Sequence, residues 1–352
     1  MESENKQVMQ QEKQKKKLEV FDILKEAFGI FLQNINFFIL TFLSSLPLFY
    51  FMVYFETSLQ ETLAETLEIF NGRPDYPRYY HRSNPNEFIG RFRKNKILYA
   101  DPDYPLYYHR SNPDEFIGRL SKNFALKLIH LGLIYLGPLH VLDLCSAIVT
   151  IYLASKLRSG EKHMALKDMF QKFVDMSYLR GTFITSIFVQ FLTNCHLLGL
   201  LFIVINFFVV LRYISSYGLF AVICCLGFEK LLRMYLEWSA MWNMSIVISV
   251  LEGMHGIDAL VLSGYFNRGC QRRGLFLMLF FFAWGQFLRI PCLYIGCYKR
   301  GNGILVQAGL FCVVNLLKWV ACMIYFYDCK ERNLKKKVDD EEMGRDIAAV
   351  HE

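Results

Sequence analysis

The sequence predicts an all-α, polytopic transmembrane bundle: about six spans in three hairpins, each hairpin preceded by an amphipathic interfacial helix. Three observations carry this. Apolar residues make up 54% of the 352 residues, and charges, at 20%, fall below the roughly 25% of an average soluble domain. The charges are clumped into residues 1–30, 56–123, 156–180, 229–273 and 328–346. Between the clumps lie apolar tracts near the ~20 residues that cross ~30 Å of hydrocarbon.

The chain opens on a basic head, residues 1–17, with "KQKKK" at Lys13 to Lys17. No short apolar core followed by a small-residue cleavage site is present there, so the first span is expected to act as an uncleaved anchor. "LEVFDILKEAFGIFL" then places Val20, Phe21, Leu24, Phe28 and Phe31 at helical spacing, with Lys25 and Glu26 turned away. The single transmembrane domain is read over 18–330, with spans near 34–55, 126–153, 181–211, 217–251, 274–294 and 304–327. Residues 331–352 form a charged tail. Two further amphipathic segments precede the third and fifth spans: "MALKDMFQKFVDMSYL", with Leu166, Met169, Phe170, Phe173 and Met176, and "GIDALVLSGYFNRGCQRRG", with Ile257, Leu260, Val261 and Phe266. Such helices lie in the interface with lysines toward lipid head groups.

The fourth span is the untidy one, because Glu229, Lys230 and Arg233 interrupt it. Glu237, Trp238, Trp242 and Asn243 favour a single long helix emerging through the interface, where Trp is enriched.

Basic residues in connecting loops set orientation. Loop 156–180 has six basic and three acidic residues, and Arg268, Arg272 and Arg273 precede the fifth span. Loop 56–123, with ten of each sign, falls on the other side. Both termini are therefore expected in the cytoplasm, of an endomembrane or plasma-membrane protein. Loop 56–123 also holds a tandem copy: "DYPRYYHRSNPNEFIGR" (75–91) and "DYPLYYHRSNPDEFIGR" (103–119) match at fifteen of seventeen positions. Two copies are too few for a stacked repeat fold, so a tolerated duplication is the expectation.

The runs "LEWSAMWNMSIVISVLEGMHGIDALVLSGYFNRGCQRRGLFLMLFFFAWG", "RIPCLYIGCYKRGNGI" and "LKWVACMIYFYDCK", with "FDILKEAFGIFLQNINFFILTFL" at the head, resemble a plant-type family of multi-pass membrane proteins of unknown biochemical function. More distantly, Glu252, Gly256, Ala259, Leu260, Ser263, Arg268 and Gly269 resemble a motif of bacterial six-helix families. These include the membrane domain accompanying some glycerophosphodiester phosphodiesterases. Its soluble catalytic domain has no counterpart here, so the resemblance implies no active residue. The tandem copy departs from the plant-type pattern, whose loop is shorter.

Ionisable groups inside spans are costly and mark sites first. His140 and Asp143 sit three apart on one helix face, where they could form a relay or lock two helices. Glu229 and Arg233 are spaced for an i, i+4 pair. Asn194, Asn206, Asn315 and Lys318 are further polar positions within spans. No G-x-S-x-G, H-E-x-x-H, phosphate-loop or dinucleotide motif occurs. The ten cysteines form no CxxC pair. No catalytic residue, cofactor or metal is thus expected. The lipid bilayer is the expected partner, through anionic head groups or other membrane proteins, and nucleic acid is not. A transporter or channel using polar groups such as Asp143 is the alternative reading.

Overall fold

The computed structural model describes residues 19–71, 122–160, 176–213, 218–297 and 301–350. The duplicated segments, the basic head and most of the second amphipathic segment lie outside them. Within the described residues the chain is entirely helical: α1 (Val20–Gln33), α2 (Ile35–Ser44), α3 (Leu46–Asn71), α4 (Lys122–Ile134), a π-helical turn (Tyr135–Leu139), α5 (His140–Arg158), α6 (Met176–Tyr213), α7 (Gly218–Leu251), α8 (Ile257–Asn267), α9 (Gln271–Ile295) and α10 (Asn302–Val350).

Four of these stretches are long and apolar enough to cross a membrane: Leu126–Arg158, Arg180–Phe207, Gln271–Ile295 and Asn302–Val338. Val20–Gln33 with Ile35–Ser44 makes a fifth if that pair, bent by 95°, counts as one. Only 11% of the most apolar window of Arg180–Phe207 is buried, and Phe191, Leu198 and Phe202 lie more than 60% exposed. Apolar surface on that scale needs a non-aqueous neighbour. The protein therefore carries several helices suited to a bilayer.

Breaks in the first tract follow from its residues. Asn34 closes α1 by donating from Nδ2 to the Ile30 carbonyl at 3.2 Å. Pro47 has no N–H to continue the ladder, and α2 stops at Ser44, two residues before it enters α3. Residues 34–55 are thus two helices, not the one straight span expected. Pro138 explains the π-helical turn, where one more residue per turn accommodates the missing donor. Helix α10 runs well past Tyr327 into the expected tail. Arg332–Asp328 at 3.0 Å and Lys335–Glu331 at 2.8 Å are i, i+4 ion pairs that extend it.

By its internal packing the chain divides into two units, Met1–Ser58 with Leu131–Glu352, and Leu59–His130. In the smaller, Lys127 Nζ donates to Glu65 Oε2 at 2.8 Å. In the larger, the core is centred on α7 and α10, whose Met244, Val247, Ile248, Val320, Met323 and Ile324 meet Ile23 and Ala27 of α1, Ala147 and Ile151 of α5, and Leu277 of α9. Trp242 is 2% exposed, so it belongs to this core and not to an interfacial belt; Trp238 is 42% exposed.

The expected amphipathic stripes divide between two faces. In α1, Leu24 is buried beside Ile23 and Ala27, whereas Phe21 and Phe28 point outward with Leu32 and Lys25. In α8, Phe266 is buried with Ala259 and Ser263, while Ile257 and Val261 are exposed. Both helices are apolar on two sides, one packed on protein and one open.

Candidate functional site

His140 and Asp143 bond to different helices. His140 Nε2 lies 2.7 Å from Ser186 Oγ on α6, and Asp143 Oδ1 accepts from Asn315 Nδ2 on α10 at 2.6 Å. Each group ties α5 to a different helix. Arg233 bonds Glu237, Nε to Oε1 at 3.2 Å, and not Glu229, which is exposed on the same helix. That correction has a simple cause: Arg233 has carboxylates four residues away in both directions. Asn206 donates to the Phe202 carbonyl, and Lys318 lies over the Trp319 ring, 4.4 Å from its centroid. These polar groups are absorbed locally.

A polar node that sequence reasoning missed joins α3, α9 and α10. Glu56, whose side chain is fully buried, accepts from Arg289 Nη2 at 2.6 Å and Nε at 3.1 Å through Oε1. Its Oε2 accepts from Gln307 Nε2 at 3.1 Å. The guanidinium also stands 5.1 Å over the Phe311 ring. By sequence Glu56 is the first residue of the polar loop 56–123. Arg289, an arginine near the end of the apolar tract Gly274–Tyr294, was the visible signal. A fork of donors on one carboxylate is a strong, directional contact, and three helices depend on it.

At the opposite end of the bundle a second set of polar contacts joins six helices, α1, α5, α7, α8, α9 and α10. Arg158 bonds Glu26 at 3.2 Å and lies 5.1 Å over the Tyr327 ring. Lys330 pairs with Glu252. Asp328 accepts from Arg273 Nη1 at 2.6 Å and from Arg332 Nε at 3.0 Å. The Tyr325 hydroxyl donates to Asn267 Oδ1 at 2.6 Å and is 3.1 Å from the Cys270 carbonyl, while Asn333 donates to the Phe266 carbonyl. Three α10 side chains, Tyr325, Asp328 and Asn333, therefore pin the α8–α9 turn to α10. Gly274 permits this approach, since a Cβ there would stand 2.6 Å from the Tyr325 hydroxyl and 2.8 Å from the Ala240 Cβ.

The positions carrying the bacterial resemblance fall on the same end, and several have a structural task. Glu252 is the partner of Lys330. Gly256 adopts φ +65° and donates its N–H to Thr185 Oγ1 at 2.7 Å; Gly269 adopts φ +84° in the turn before α9. Ser249 joins this seam, 3.2 Å from Thr185, 3.3 Å from Thr182 and 3.0 Å from His255 Nδ1.

Lys25, Arg268, Arg272 and Lys335 to Lys337 are exposed around this end, and Lys337 reaches the Tyr265 ring. Gly269 to Arg273 and Arg332 line an open concavity of about 570 Å³. Beneath it a hydrogen bond with Cys329 pulls the Cys270 thiol down, against its burial and with help from Arg273 and Arg332. Four carboxylates at this end, Glu26, Glu252, Asp328 and Glu331, are engaged in ion pairs, while Lys25, Arg268, Arg272 and Lys336 stand exposed beside them. Set against known proteins, the chain matches no family model, no curated protein and no solved structure.

Proposed function

We propose that this chain is a non-catalytic, multi-pass membrane protein whose basic end holds anionic lipid head groups and, through them or beside them, other membrane proteins. The single observation that carries the reading is the gathering of α1, α5, α7, α9 and α10 at one end, with Lys25, Arg268, Arg272 and Lys336 exposed around it. Basic residues next to apolar helices are attracted to anionic head groups by about 1 kcal/mol each near the surface. Glu56, Asp143 and His140 are all engaged with groups on other helices, which favours a role in joining helices over one in conduction.

In this reading the bundle has six spans in three hairpins. The first is α2 with the opening of α3, and the fourth is α7, read over 217–251 as one long helix that emerges through the interface. The even number puts both termini on one side, the cytoplasmic one, in an endomembrane or plasma membrane. The likeness to the plant-type family belongs to the same proposal.

Single cysteines introduced at Ser159, Arg268 and Lys336, all exposed, test the arrangement in sealed vesicles. An impermeant maleimide is expected to label all three from the same side and none from the other. Labelling of any one from the opposite side would remove the single basic end and the reading with it.

A further inference from the structure

We propose that Cys270, Asp328 and Cys329 form a binding site for a soft divalent cation of the zinc class, at the junction of α9 and α10. The two thiol sulfurs and a carboxylate oxygen lie within 4.8 Å of one another, and all three residues are buried. A tetrahedral ion with ligands at 2.0–2.3 Å spaces its ligand atoms about 3.5 Å apart, so the set is roughly 1 Å from that spacing. Among the described residues this is the one group of three such side chains that converges.

Chemistry selects the class of ion. Two thiolates with one carboxylate suit zinc and exclude calcium and magnesium, which take oxygen ligands. Three protein ligands leave a fourth position for water, and the concavity beside Cys270 gives the ion a path from solvent. Charge also balances. Binding M²⁺ releases one proton from each thiol, so two protons leave as two positive charges arrive. The buried region keeps its net charge, and Arg273 and Arg332 remain as counter-ions to the anionic ligands.

The surroundings already resemble an outer ligand shell. Asp328 is oriented by Arg273 and Arg332, and Arg273 Nη2 lies 3.6 Å from the Cys270 sulfur. Carboxylate ligands are commonly held by such bonds. Cys270 is positioned by the Tyr325 contact to its carbonyl and by the turn at Gly269, while Asp328 and Cys329 are consecutive on a buried stretch of α10. Cys270 and Asp328 are fifty-eight residues apart in sequence, which hides the set from any spacing motif.

The test uses the full chain purified in detergent without a metal-chelating tag, equilibrated with zinc, then dialysed and measured by elemental analysis. About one zinc per chain is expected, falling at least tenfold in Cys270→Ser and Cys329→Ser and unchanged in Cys322→Ser, with circular dichroism checking the fold of each. Asp328→Asn removes a direct ligand and should weaken zinc affinity by at least about 10-fold, the lower bound seen for loss of an outer-shell partner. Cobalt titration of the unaltered chain gives a readout independent of any variant: a thiolate-to-cobalt charge-transfer band saturating at one equivalent. Less than 0.1 zinc per chain without that band would overturn the proposal, as would full zinc retention in the Cys270→Ser/Cys329→Ser double variant. Recovery of a Cys270–Cys329 disulfide peptide from chain kept under argon would equally overturn it.

Discussion

Arg289→Ala is expected to destabilise the protein by about 3–5 kcal/mol, because breaking a buried pair leaves the other charge uncompensated. Glu56 is fully enclosed, and both of its oxygens are used by Arg289 and Gln307. The Arg289 side chain is itself 36% exposed, so water entering its place offsets part of the loss but supplies no counter-charge to Glu56. The carboxyl must then either stay charged at high cost or take up a proton. Reversible unfolding in mixed micelles, followed by circular dichroism, measures the loss. The Glu56→Gln/Arg289→Gln variant separates pairing from packing. It removes both charges while keeping polar side chains beside Gln307, so it should recover more than half of the Arg289→Ala deficit. A double variant no better than Arg289→Ala would show that the loss lies in packing against Phe311 and not in the charge.

Asp328→Ala is expected to cost a similar amount, about 3–5 kcal/mol, for a different reason. Asp328 stands between two arginines that are 20% and 26% exposed. Removing it leaves Arg273 and Arg332 as like charges in a half-buried site and releases the α9 end of the turn from α10. Asn267 and Cys270 would still be held by Tyr325, so the helices themselves should persist. The expected signature is a lower unfolding midpoint with faster amide exchange over residues 266–274 and little change in helical content. Measured with chelator present, the experiment reads the ion pairs apart from any bound metal. A loss below about 1 kcal/mol, the scale of surface pairs, would contradict the assignment of this contact as buried.

The class of fold was legible because apolar tracts and charge clumps report solvent directly. Where helices break was legible only in part. Pro138 stands in the sequence at the π-helical turn, but the end of α2 at Ser44 depends on Pro47, three residues on, inside a tract that reads as one apolar run. The tail looked like a solvated appendage because its charges are dense. Its i, i+4 pairs instead continue α10, and neither Gly nor Pro interrupts 330–343.

Site residues divided along another line. His140 and Asp143 were visible as polar groups in an apolar tract, yet spacing on one helix could not reveal that their partners sit on α6 and α10. Glu56 and Arg289 are separated by 233 residues, and Gln307 lies still further along the chain. Long-range partners leave no local pattern, so only the unmatched arginine within α9 carried a signal. The basic end was foreshadowed by loop charges. The bonds of Arg158, Lys330 and Arg273 that draw it together needed three dimensions.

Lipid preference tests the central claim most directly. The chain is reconstituted into phosphatidylcholine vesicles with a trace of head-group-labelled lipid, and energy transfer from its tryptophans to the label is recorded. Transfer to labelled phosphatidylserine is expected to exceed transfer to labelled phosphatidylcholine. That excess should fall at least twofold in Arg268→Gln/Arg272→Gln/Lys336→Gln and shrink as salt is raised. Equal transfer to the two lipids in the unaltered chain, or an excess indifferent to the three substitutions, would contradict it.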